Sequence, residues 1–367
     1  MTLDLNKILG QRRRRYTIAG KIEIFKCKYL VVKNTIVEYI KLVRLPGWGA
    51  YCIPAVFGAL TTGNFTIHQI IILFIIGIFA TIFGFVLNDY ADVSIDKLSP
   101  DLLERPLVKG TIPIRSALII SIFAAVFHYL IVIFAMITTF FVISFSAMIV
   151  LTVAAILTVI YDLYGKRFIG SDLFVSAATA LYCLFGALVV SETISGLTWI
   201  VVCVTFTQVL YLNAISGGLK DADHDYKLGV KNIALYLGVK VDKTLFVSTS
   251  FKALALTLEL FSAIFMFIPI IYFSDFTYFF WTPILIAIMF AGVFITIIKT
   301  VQMTVFDRNR LRKLISLQAF LRYSVVPVLL LYQIGYPIGL FLIIFPFSWY
   351  VIFNQIIYGK AVQPKTL

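Results

Sequence analysis

The chain has 367 residues, 61% of them hydrophobic and 13% charged, about half the charged share of a soluble domain. That balance excludes an ordinary soluble enzyme. The 31 Lys and Arg against 18 Asp and Glu, a net charge of +13, do not mark a nucleic-acid partner, because the basic residues sit between apolar stretches rather than on one polar domain.

Residues 1–44 form a basic N-terminal extension. It opens MTLDLNKILGQRRRR, with no apolar core and cleavage site of a signal peptide. Ile18, Ile22, Phe25, Tyr29, Val32, Ile36, Ile40 and Val43 then recur at spacings of three and four, which predicts an amphipathic helix lying on anionic lipid. Cys27, Cys52, Cys183 and Cys203 are scattered without a CxxC pair, so buried thiols are expected rather than disulfides or zinc.

Residues 45–358 are predicted as a transmembrane domain and 359–367 as a short tail. A hydrocarbon core about 30 Å thick takes roughly 20 apolar residues per helix. Candidate spans run over Pro46–Leu60, Ile67–Leu87, Ile114–Ala135, Phe140–Ile160, Leu173–Ser191, Trp199–Ser216, Leu245–Phe273 and Phe279–Ile298. The tract Leu314–Tyr358 is too long for one span, and Gly335, Tyr336 and Pro337 interrupt it. The expected fold is therefore an all-α polytopic bundle of nine or ten transmembrane helices. Linkers around Gly63, Thr138, Ser195, Asp275 and Gly335 carry no Lys or Arg, whereas those between them carry many. The positive-inside rule then places the N-terminus and the basic linkers in the cytoplasm of a cell-membrane protein.

Acidic residues are few but clustered. Asn88, Asp92 and Asp96 lie four apart in LNDYADVSIDKL, and Asp221 and Asp225 repeat that spacing in GLKDADHDYKLG. On a helix such residues share one face. Like charges so placed repel, and near hydrocarbon they are costly, so a compensating cation is expected. Magnesium, which takes one or two carboxylates together with substrate phosphates, fits that need. Solvated loop acids paired with nearby Lys are the plain alternative.

NDYADVSID resembles the N-D-x-x-D-x-x-x-D signature of the UbiA-type intramembrane prenyltransferases. ERPLVKG is similar to the R-P-L/I-x-x-G continuation, YDLYGKRFIG to the Tyr and Lys/Arg stretch, and DADHDYKLGVKNIALYLG to the second D-x-x-x-D element. The resemblance implies a prenyl diphosphate donor, a lipophilic acceptor, and an active site on the cytoplasmic side. It implies two Mg2+ ions held by Asn88, Asp92, Asp96, Asp221 and Asp225. Arg44, Arg105, Lys109, Lys166, Arg167 and Lys220 are then the cations expected at the diphosphate, with Tyr161, Tyr164 and Lys166 in catalytic roles. Membrane-anchoring cations and interfacial tyrosines are the bland readings of these residues.

The acceptor stays open between two groups. YDLYGKRFIGSDLFVSAATALYCLFGAL looks most like the archaeal enzymes that prenylate geranylgeranylglyceryl phosphate, whereas ERPLVKG is closer to the hydroxybenzoate and haem O groups. Two other classes compete. A CDP-alcohol phosphotransferase would need a D-G-x-x-A-R opening, which is missing. A transporter would carry carboxylates near the bilayer midplane, where only Glu259 fits.

Overall fold

The computed structural model describes residues 35–99, 102–241 and 244–361. Of the extension only residues 35–44 fall in that range, helical over 35–42 and a turn at 43–44; residues 1–34, with Cys27, lie outside the described residues. In chain order the main helices are α1 (Leu45–Leu60), α2 (Ile67–Asp96), α3 (Ile114–Ile137), α4 (Phe145–Arg167), α5 (Asp172–Leu188), α6 (Gly196–Lys220), α7 (Thr249–Tyr272), α8 (Thr282–Val301) and α9 (Arg308–Tyr358). Seven of these are long and apolar enough to cross a membrane, while α1 and α5 are shorter apolar helices.

Helix starts follow local chemistry. Thr66 and Gln69 form a capping box ahead of α2, and Ser144, Ser195 and Ser248 each accept a backbone N–H in the first turn of α4, α6 and α7. The span predicted from Leu245 is corrected accordingly. Leu245–Phe246 pairs antiparallel with Lys240–Val241, and α7 begins only after the Ser248 cap. Likewise residues 140–143, ahead of the Ser144 cap, are not helical. In the other direction α2 outruns its predicted end at Leu87 and continues to Asp96, which puts the whole first acidic stretch on a helix.

The 51-residue run of α9 is not one rod. Gly335 has φ 73° and ψ 161°, a backbone conformation open to glycine, and the chain folds back there. Arg312 before the break and Tyr350 after it line the same cavity. The prediction that Gly335 divides this tract is met; the other eight predicted spans correspond to the six remaining long helices and the two short ones, α1 and α5.

The helices close into a ring in which α2 packs on α3 and α4, α4 on α5, α5 on α6, α6 on α7, α7 on α8, α8 on α9, and α9 on α1. Helix α1 also touches α2 and α5 at backbone range. A Cβ at Gly186 would stand 1.8 Å from the Ala55 carbonyl oxygen, and one at Gly58 would stand 1.8 Å from that of Cys183. Only glycine admits that approach. Cys52 and Cys183 are buried and, with the partly buried Cys203, are free thiols, as expected.

Candidate active site

The two acidic stretches, far apart in sequence, meet at the mouth of one cavity of about 610 Å³. Helices α1 to α6 and α9 contribute to its lining, and no residue of α7 or α8 does. Asn88, Asp92 and Asp96 come from one face of α2, as their spacing dictates. Asp221 and Asp225 come from the end of α6 and the short helix Ala222–Leu228 that follows it. Ahead of them α6 is π-helical over Tyr211–Gly217.

The carboxylates are held by cations from five different segments. Asp89 accepts from Arg44 and, at 3.2 Å, from Arg105. Arg105 also donates to Asp96. Lys166 Nζ lies 2.9 Å from Asp92 and 3.6 Å from Asp96, so the end of α4 is tied to α2. On the opposite wall Lys220 stands 3.5 Å from Asp221, Asn232 donates to Asp225, and Arg308 pairs with Asp223. Burial pushes the Asp225 carboxyl up to about 6, against the opposing hydrogen bond from Asn232 and with help from neighbouring Asp221.

Of the cations expected from sequence, Arg44, Arg105, Lys166 and Lys220 line the cavity, as does Tyr161. Lys109, Arg167 and Tyr164 are not among the lining residues. Lys109 points to the surface, 3.4 Å from Glu104. Arg167 stacks on the exposed ring of Tyr164, 5.3 Å from its centroid, one step round the turn Gly165–Arg167 from Lys166. Adjacent positions cannot face the same way on a helical turn.

Several lining residues were missed. Asp162 accepts a hydrogen bond from Asn88, and its buried Oδ2 has no partner among the described residues. Its signal was a lone acid within YDLYGK at the end of an apolar span. Asp172, Lys231, Arg308 and Arg312 also line the cavity; the last two sit one turn apart in a basic linker that reads as topology alone. Glu259 is buried beside Arg322 and outside the cavity lining.

The acids fit a hard divalent cation in a particular way. Among the described residues no three His, Cys, Asp or Glu side chains converge into a ready-made metal cage. Carboxylates instead stand on two facing walls, and Asp162, whose buried Oδ2 has no partner among the described residues, is in the lining of the same cavity. Oxygen donors left incomplete by the protein suit magnesium, whose shell is usually finished by phosphate and water.

Residues 51–304 match the UbiA prenyltransferase family. A digeranylgeranylglyceryl phosphate synthase of Methanococcus vannielii is 28% identical over 228 residues, covering 60% of this chain and 75% of that protein. A 4-hydroxybenzoate octaprenyltransferase of Shewanella piezotolerans is 26% identical over 189 residues, 51% of this chain and 62% of that one. The fold is similar to a solved digeranylgeranylglyceryl phosphate synthase, with a TM-score of 0.60 and 19% identity over 82% of this chain and 99% of the other. It is also similar to a UbiA homologue of Archaeoglobus fulgidus solved with GPP and Mg2+, with a TM-score of 0.55 and 16% identity over 79% and 99%. With a family match over more than half its length, this multi-pass membrane chain belongs to the UbiA prenyltransferase family.

Proposed function

We propose that this prenyltransferase ionises a prenyl diphosphate at the mouth of the cavity and passes the prenyl group to geranylgeranylglyceryl phosphate, in ether-lipid synthesis. The observation that carries the reading is the convergence of two acidic stretches, interleaved with cations, at the open end of an apolar cavity. The relatives named for digeranylgeranylglyceryl phosphate synthesis support the acceptor, and the relative bound to GPP and Mg2+ supports the donor and metal.

Asn88, Asp92, Asp96, Asp221 and Asp225 would hold magnesium, two ions being expected, and bound there it would offset the charge that grows on the departing diphosphate. Lys166, Arg105, Arg44 and Lys220 face the same anion. Their present carboxylate partners leave the mouth close to electrically balanced, so a polyanion gains little from the side chains alone. When the carbon–oxygen bond of the donor breaks, its electron pair leaves with the diphosphate, and these cations stabilise the leaving group. The ring face of Tyr161 shields the allylic cation. The acceptor hydroxyl then bonds to the prenyl carbon, and its proton passes to a carboxylate of the lining, a role we assign to Asp162. The mouth lies at the end of the bundle that carries the basic linkers, so it faces the cytoplasm of the cell membrane.

The test incubates the purified protein in lipid nanodiscs with magnesium, labelled geranylgeranyl diphosphate and one of three acceptors: geranylgeranylglyceryl phosphate, 4-hydroxybenzoate or haem. A labelled ether lipid is the expected product. Product with 4-hydroxybenzoate or haem alone moves the acceptor assignment, and no prenyl product with any acceptor overturns the reading.

A further inference from the structure

Arg44 holds a backbone conformation that a residue with a side chain seldom takes. Its φ and ψ are 49° and 48°, in the left-handed region, which is costly for anything but glycine. Helices commonly end on such a residue, as a rule glycine, and Arg44 takes that place in the turn after the helix of residues 35–42. Among the described residues Thr139 is the other non-glycine with a positive φ, and of the two only Arg44 lines the cavity. Strain of this kind persists where the surroundings over-determine it, and here three successive carbonyls are met. The indole N–H of Trp48 donates to Val43 O at 2.8 Å, and the backbone N–H of Gly47 donates to Arg44 O at 2.8 Å. Leu45 O accepts from the backbone N–H of Trp48 and also from the indole N–H of Trp349, at 2.8 Å.

The first three of these bonds close the turn on itself, whereas Trp349 reaches it from α9, beyond the fold-back at Gly335. Local bonds fix the shape of the turn, and a bond to another helix fixes its place. Trp349 is seated on Gly49, where a Cβ would stand 2.8 Å from Trp349 Cβ and 3.0 Å from its Cγ. On the cavity side the Arg44 guanidinium lies 4.8 Å from the centre of the Phe85 ring and pairs with Asp89 of α2. We infer that Trp349 is a positioning residue: its indole N–H holds the left-handed turn against the bundle, so that the Arg44 guanidinium is aimed at the mouth. The inference rests on the reading of Arg44 as a diphosphate cation above. A displacement of about 1 Å at such a contact is enough to weaken its hold on the transition state.

The experiment measures kcat and KM for prenyl transfer from geranylgeranyl diphosphate to geranylgeranylglyceryl phosphate, in nanodiscs with magnesium, for the parent, Trp349→Phe, Arg44→Gln and the double variant. Trp349→Phe removes the indole donor and keeps a ring beside Phe345 and Phe353. Alone it should lower kcat at saturating donor about tenfold, with the acceptor's KM close to the parent's, and Arg44→Gln should lower kcat about ten- to hundredfold. In the Arg44→Gln background the same Trp349 change should cost no more than about twofold, because the group it positions is gone. A loss of equal size with and without Arg44 overturns the proposal, since a residue that only packs acts through the fold as a whole. Trp349→Phe turning over within about twofold of the parent overturns it too. If Trp349→Phe fails to fold, Gly49→Ala, which pushes the ring off its seat and leaves the indole intact, repeats the cycle with the same outcomes. Failure of the underlying reading is separately visible: Arg44→Gln would then match the parent, or the parent would make no prenyl product.

Discussion

Two groups of carboxylates and cations lie within this bundle, and they are built in opposite ways. At the mouth the partners are shared: Asp89 takes both Arg44 and Arg105, and Asp96 takes both Arg105 and Lys166. Between α7 and α9 a single carboxylate meets a single guanidinium, which Tyr211 also hydrogen-bonds. Glu259 and Arg322 are 0% and 1% exposed and bound to each other, and the guanidinium is covered by the ring of Tyr211 at 3.7 Å. Shared pairs facing open space can exchange partners when an anion arrives. A closed pair under an aromatic ring cannot, so it serves to clasp α6, α7 and α9. Ion pairs near hydrocarbon are therefore not one class, and what separates them is whether a third partner can enter.

The largest effect should come from breaking the closed pair on one side only. Glu259→Leu leaves Arg322 charged and buried, which costs about 3–5 kcal/mol; thermal unfolding in detergent should show that loss, and Glu259→Leu with Arg322→Leu should recover most of it. If the double variant is no more stable than the single, the clasp reading fails. Next in size, Asp92→Asn or Asp225→Asn should lower prenyl transfer by about 10²- to 10³-fold while the unfolding midpoint stays close to the parent's. Equal loss of stability and activity would mean that the mouth, too, is a structural clasp. Lys166→Gln should cost about 1.5–3 kcal/mol felt in the transition state, roughly ten- to hundredfold in kcat at saturating donor, whereas a change confined to KM would make Lys166 a ground-state binder. The smallest effect belongs to Lys109→Gln and Arg167→Gln. Both side chains face away from the cavity, so kcat/KM should stay within about twofold, as for exposed ion pairs; a larger drop would put them back at the diphosphate.

The contrast also explains which parts were legible in the sequence. Asn88, Asp92 and Asp96 announce themselves because a spacing of four is a statement about one helix face, and that face needs no knowledge of the rest of the fold. Lys166 and Arg167 are neighbours in sequence, but the turn that divides them, one toward Asp92 and one toward Tyr164, is fixed only by how α4 meets α5. Asp162 was hidden because a single acid has no spacing to read. Glu259 stood out as an anomaly in an apolar span, yet its partner Arg322 lies on another helix, and long-range pairing leaves no local signature. The spans themselves were readable from hydropathy and basic linkers, while their ends moved wherever a Ser or Thr cap outweighed an apolar run.

The π-helical stretch Tyr211–Gly217 makes the aim of the second acidic group a matter of counting. A π turn closes its hydrogen bond one residue later than an α turn, and each residue of an α-helix is worth about 100° of rotation. Everything after the stretch is turned by that amount relative to a regular helix running on from Leu210. Asp221 and Asp225 therefore reach the cavity through the number of residues before them as much as through their own identity. Removing one residue from this stretch would let it relax to a regular helix and swing both carboxylates away from the mouth with every functional side chain still present. Along this segment a one-residue change in length should be tolerated far less readily than a change in residue type.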